Sequence, residues 1–258
     1  MILLGLTLPF AGTTLGAAAV FLLRRRMAPQ MQRLLAGFAA GVMTAAAVWS
    51  LLLPAVGMSQ GLPLPVWLPA AAGFSGGVLF LLMLDSLVPH LHPHADRPEG
   101  AAVRLTRTAK LALAVTLHNI PEGLAVGIVL AGALHGCAGI TAASALALSV
   151  GIAVQNIPEG AIVSMPMRGA GDSRRRSFLY GVLSGAVEPV AGAAALMLAG
   201  RLGRWMPWML SFAAGAMLYV VVEELIPESQ RGRHSDIGTV GFAAGFLLMM
   251  ILDTAQQT

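Results

Sequence analysis

The six residues His118-Asn119-Ile120-Pro121-Glu122-Gly123 recur further along the chain as Gln155-Asn156-Ile157-Pro158-Glu159-Gly160, five of the six identical. On a helix, His118 and Glu122 are four apart and share a face, and Asn119 borders it. Gln155, Asn156 and Glu159 repeat that arrangement. If the two segments cross near these points, two carboxylates, one imidazole and several amide oxygens converge. Such a donor set suits a borderline divalent cation such as zinc. It also accepts cadmium, cobalt, iron and manganese. Copper(I) wants thiolates or thioethers, but the chain has one cysteine, Cys137, and its 14 methionines are scattered. Glu188, beside Pro189 and among Gly181, Gly185 and Gly192, is expected to be a third acidic ligand, with bridging of two metals left open.

The elements that carry these residues follow from composition. Of the 258 residues, 57% are hydrophobic and 11% are charged, against about 25% charged in a soluble domain. Lipid must therefore be the solvent, and only helices or closed barrels satisfy their backbone there. The apolar runs are continuous rather than alternating, which excludes a barrel. The expectation is an all-α membrane protein, a single domain over 1–258. Its eight spans fall at 2–23, 34–53, 67–88, 109–131, 138–165, 177–200, 206–226 and 237–256.

Placing the N-terminus outside puts 14 of the 16 Lys and Arg residues in cytoplasmic loops at about 24–33, 89–108, 166–176 and 227–236, leaving Arg201 and Arg204 outside. This asymmetry fixes the orientation, with both termini outside. It also explains the net charge of +4 without a nucleic-acid partner. Residues 1–23 lack a basic n-region and are read as a span rather than a cleaved signal.

A charged group at the bilayer centre costs roughly 2.5–3.5 kcal/mol on insertion scales. Glu122, Glu159 and Glu188 must therefore face a cavity, an ion or one another, the plainer alternative being protonated carboxyls bonded between helices. Pro121 and Pro158 free the carbonyls of Leu117 and Val154, so both helices are expected to be interrupted beside their acids. No H-E-x-x-H pattern occurs, which argues against an intramembrane metalloprotease. An organic-solute transporter would not need the repeated Asn and Gln.

Gly73 to Asp85 resembles Gly241 to Asp253, and Phe38-Ala39-Ala40-Gly41 matches Phe212-Ala213-Ala214-Gly215. Spans 1–3 and 6–8 are thus expected to form an inverted repeat around spans 4 and 5, the layout of secondary transporters. Asp85, the cluster His90, His92 and His94, and Glu223 and Glu224 are expected to line a cytoplasmic exit. The alternative is a solvated loop and ordinary interface acids. Asp253, His135 and His234 are read as surface residues.

The two N-I-P-E-G motifs, Glu188-Pro189 and the stretch from Tyr219 to Pro227 together resemble the ZIP family of metal transporters, in its bacterial GufA-like branch. The resemblance runs along the whole chain. It implies a transport site at His118, Asn119, Glu122, Gln155, Asn156, Glu159 and Glu188. It also implies uptake of zinc across a bacterial inner membrane toward the cytoplasm with no organic cofactor, a homodimer, and movement of spans 1, 4, 5 and 6 against 2, 3, 7 and 8. Some relatives carry Asp where this chain has Asn156, which removes one charge from a second metal position.

Overall fold

Among the described residues, eight apolar helices are long enough to cross a bilayer: Ile2–Leu22, Pro29–Ser59, Trp67–Leu87, Val115–Leu134, Ala142–Gly169, Arg174–Ala199, Gly203–Ser229 and Ile237–Thr254, called spans 1 to 8 here. The computed structural model describes residues 1–22, 27–87, 107–201, 203–232 and 235–255. Among these residues the regular secondary structure is all helix, with no strand. His90, His92, His94 and His234 lie outside them.

The spans pack as four tight pairs: 1 with 5, 2 with 8, 3 with 7 and 4 with 6. Glycine makes each approach possible. A methyl on Gly12 would overlap the carbonyl of Ala153, one on Gly41 that of Phe242, one on Gly77 that of Phe212, and one on Gly127 that of Gly192. Backbones this close gain dispersion contacts that larger side chains would prevent, which is how helices associate without a hydrophobic driving force.

These pairs gather into two groups, spans 1, 4, 5 and 6 and spans 2, 3, 7 and 8. The seam between the groups is made differently. At Gly151 of span 5, for example, the neighbour across the seam is the thioether of Met249 in span 8, a flexible side chain rather than backbone.

Helix irregularities fall in other places than the prolines of the repeated motif suggested. The helices Arg107–Leu134 and Ala142–Gly169 run unbroken through Pro121 and Pro158. A single proline can be absorbed as a bend when the backbone keeps helical dihedrals and packed neighbours surround the freed carbonyl. The break comes in span 6, which divides at Ala186 into Arg174–Gly185 and Val187–Arg201, immediately before Glu188. Spans 2 and 7 each contain a π-helical turn, Ala47–Leu52 and Val221–Leu225. In both, the residue before a proline donates five residues back: Leu53 to Val48, and Ile226 to Val221. Pro54 and Pro227 lack the N–H that would continue the normal ladder, and a wider turn accommodates the loss.

Substituting Gly41 by Val should therefore cost about 1–3 kcal/mol, typical of overpacking. It should lower the unfolding temperature of the detergent-solubilised protein, whereas Gly57→Ala, which meets nothing within 4 Å, should leave it unchanged.

Candidate metal centre

All seven residues expected to form the transport site are buried among spans 4, 5 and 6: His118, Asn119, Glu122, Gln155, Asn156, Glu159 and Glu188. Several are held by a neighbour. The Gln155 side-chain amide donates to Glu122 Oε1 at 2.6 Å. Asn119 donates to the backbone carbonyl of Ser184 at 3.0 Å, on the last turn before the break in span 6. Asn156 lies near both Glu122 and Glu188 without a well-formed hydrogen bond to either. Glu188 accepts a bond from Thr13 Oγ1 of span 1 at 2.7 Å. Nothing in the apolar sequence around Thr13 marked it as a member of the site.

His118 turns away from Glu122, and its Nδ1 stands 2.8 Å from Glu224 Oε2 of span 7. Glu224, one of the acids expected at a cytoplasmic exit, thus touches the central cluster directly. Its neighbour Glu223 points outward and is exposed. The π turn explains why two adjacent acids part company, since it rotates the end of span 7 and presents one of them to span 4. Asp85 of span 3 is also buried and accepts from the Tyr219 hydroxyl at 2.7 Å. It lies close enough to His118 to act on its charge.

Electrostatic contacts link Glu188 and Glu122 to Glu159, Glu159 to His118 and Glu224, and His118 to Asp85. The result is an acidic stair from mid-membrane toward the end of the molecule where the basic loops lie. Among the described residues of spans 4, 5 and 6, six buried oxygens around it have no hydrogen-bond partner: Asn119 Oδ1, Glu122 Oε2, Gln155 Oε1, Asn156 Oδ1, Glu159 Oε2 and Glu188 Oε2. Among the described residues, however, no three His, Cys, Asp or Glu side chains are grouped closely enough to hold an ion. The donors are turned onto internal partners instead: His118 onto Glu224, Glu122 onto Gln155 and Glu188 onto Thr13.

The other direction is closed. Val126, Val129, Leu148, Ile152, Val42 and Met249 are all buried and form an apolar plug beyond Glu122. Past the plug lies Asp253, which is buried rather than on the surface as the sequence reading had it. Its two carboxylate oxygens accept from Ser50 Oγ at 2.8 and 2.9 Å. Asp253 and Ser50 line a small cavity with Val129, Ile140 and Ser144. Several of its lining residues also border a larger vestibule of about 590 Å³ beside Trp49, Pro54 and Thr141. His135, by contrast, is exposed as expected.

A family model described as "ZIP Zinc transporter" matches residues 94–253. The chain belongs to the ZIP family. It is 37% identical to zinc transporter ZIP11 of Homo sapiens over 97% of this chain and 96% of the relative. It is 38% identical to zinc transporter ZIPB of Bordetella bronchiseptica over 95% and 78%, and 39% identical to zinc transporter GufA of Myxococcus xanthus over 80% and 79%. ZIP proteins are transporters rather than enzymes, and the eight membrane-crossing helices fit a multi-pass member of that family.

The two neighbouring acids of span 7 offer a direct check on the geometry. Glu224→Gln should weaken zinc binding by the purified protein about tenfold or more, since charged contacts to a buried imidazole are lost. Glu223→Gln should bind as wild type. Isothermal titration with zinc in detergent measures both.

Proposed function

We propose that this chain carries zinc across a bacterial inner membrane into the cytoplasm, through a site formed by His118, Asn119, Glu122, Gln155, Asn156, Glu159 and Glu188. The observation that supports it most is the set of six unpartnered buried oxygens between spans 4, 5 and 6. Each buried acceptor left without a partner costs on the order of 1–3 kcal/mol. A dehydrated cation offsets that cost for several of them together. Zinc is favoured because His118 offers nitrogen among oxygens. Cadmium, cobalt, iron and manganese are the competitors that the same donors would admit.

The reading assigns a place to each end of the molecule. Asp253 and Ser50 receive the ion from the outer vestibule. The apolar plug is the closed outer gate. Glu224 and Asp85 take the ion onward toward the cytoplasm, the side assigned by the basic loops. The solvent exposure of the site agrees with an inward-facing state: Glu122 and Glu188 are each 1% exposed, whereas His118 and Glu159 reach 7% and 8%.

Transport then needs the plug to open while the stair closes. The glycine-paired groups supply the moving parts, with spans 1, 4, 5 and 6 sliding as a unit against 2, 3, 7 and 8. The His118–Glu224 contact crosses that seam. Glu224 holds His118 Nδ1 and leaves Nε2 for a metal, so the site is fully formed only while this tie between the two groups is made. This is differential binding to two states, the condition for a ligand to shift a conformational equilibrium. The inverted repeat fits the same scheme, because it exchanges the pair 2–8 with 7–3 and the pair 1–5 with 6–4. The chain acts as one domain over 1–258, and the reading includes the homodimer that the family resemblance implies.

The decisive assay is zinc entry into proteoliposomes that contain an internal fluorescent indicator. Wild type should show saturable flux, and His118→Ala/Glu122→Ala should show none while still inserting and folding. Asp253→Asn should retain flux but raise the zinc concentration needed for half-maximal rate several-fold, as expected when an entry charge is lost. Wild-type flux in the double variant would sink the assignment.

A further inference from the structure

A second concavity lies away from the ion path, on the bilayer-facing side of the seam. It has a volume of about 450 Å³ and lies between spans 3 and 7 of one group and spans 4 and 6 of the other. Gly76, Leu124, Ile128, Leu198, Trp208 and Phe212 are among its walls. Its lining is almost entirely carbon, which suits neither an ion nor a hydrated solute. Leu198 and Trp205 on its rim are 53% and 54% exposed, so it opens sideways into the space that acyl chains occupy.

Its outer mouth has the features of a headgroup boundary. Trp205 and Trp208 stand with ring centroids 6.0 Å apart, and tryptophan concentrates at the membrane interface because its ring is apolar and its N–H polar. At the start of span 7, the turn Gly203–Trp205 carries Arg204, which is exposed. It is one of only two basic residues that the charge count leaves on the outer side, and it sits next to a lining residue of the groove. A guanidinium at headgroup level is a good partner for phosphate.

We infer that this groove is a binding site for an anionic phospholipid of the surrounding bilayer, with one acyl chain lying between the two helix groups and the phosphate held at Arg204. A chain lodged there touches both sides of the seam, so its occupancy depends on how the groups are placed relative to each other.

Gly76 provides the probe. A Cβ built there meets only the Phe212 ring, at 3.7 Å, so a larger side chain can enter the groove without striking backbone. The experiment uses the full chain with Trp49→Phe and Trp67→Phe, leaving Trp205 and Trp208 as reporters, in nanodiscs of phosphatidylcholine. Phosphatidylglycerol or phosphatidylcholine brominated on the acyl chain is added at equal low mole fraction, and tryptophan quenching is read. The expected result is about fivefold stronger quenching by the brominated phosphatidylglycerol, the worth of one arginine near a charged headgroup. Gly76→Leu should abolish the excess quenching, and Arg204→Gln should reduce both lipids to the same level. Equal quenching by the two lipids in the parent protein would overturn the inference. So would efficient disulfide cross-linking of Gly76→Cys between two copies of the chain, which would make this face a protein interface.

Discussion

Placing several carboxylates next to one another in a medium that cannot hydrate them is the constraint from which the rest of the structure follows. Glu122, Glu159 and Glu188 are at most 8% exposed and act on one another's charge. Among the described residues the basic group beside them is His118. Coulomb repulsion between such groups grows as the surrounding dielectric falls. The cluster is therefore stable only with protons or a metal cation among its oxygens. A soluble protein would relieve it with water. Here the protein keeps it and surrounds it with amides, Asn119, Gln155 and Asn156, which bind carboxylates and cations alike without adding charge.

Holding those groups at fixed positions requires helices that approach more closely than ordinary side chains permit. The glycines supply that approach, and the polar residues add cross-ties at site level: Thr13 to Glu188 and Asn119 to the carbonyl of Ser184. The break at Ala186 contributes as well, because it ends one helix within reach of Asn119 and starts the next just before Glu188.

The sequence made the spans and the core donors legible for a simple reason. Long apolar runs can be only helices in lipid, and polar motifs inside them have no surface to decorate. Composition reveals single residues less well. Thr13 looked like any small residue of an apolar helix until span 5 and span 6 were packed against it. Asp253 reads as a surface residue on its own, although the repeat aligns it with Asp85, which is also buried. The helix irregularities were misplaced for a physical reason. A proline guarantees a missing hydrogen bond, but whether the backbone bends, widens into a π turn or breaks depends on what is packed around it. At Pro121 and Pro158 the helix continues; before Pro54 and Pro227 it widens.

The contrast between close pairs and a looser seam bears on how such a protein can move at all. Interlocked backbones resist sliding, since a shift by a fraction of a helical turn would drive Cβ atoms into carbonyls. Side-chain contacts such as Met249 against Gly151 can be remade, because a thioether has several rotamers of similar energy. Motion is therefore confined by packing to the one surface that lacks glycine interlocks, and that surface is also where Glu224 reaches His118. Coupling between ion and conformation needs no long pathway under these conditions. The carboxylate that orients His118 for a metal is the same one that ties the two groups together, so chemistry and movement share a single contact.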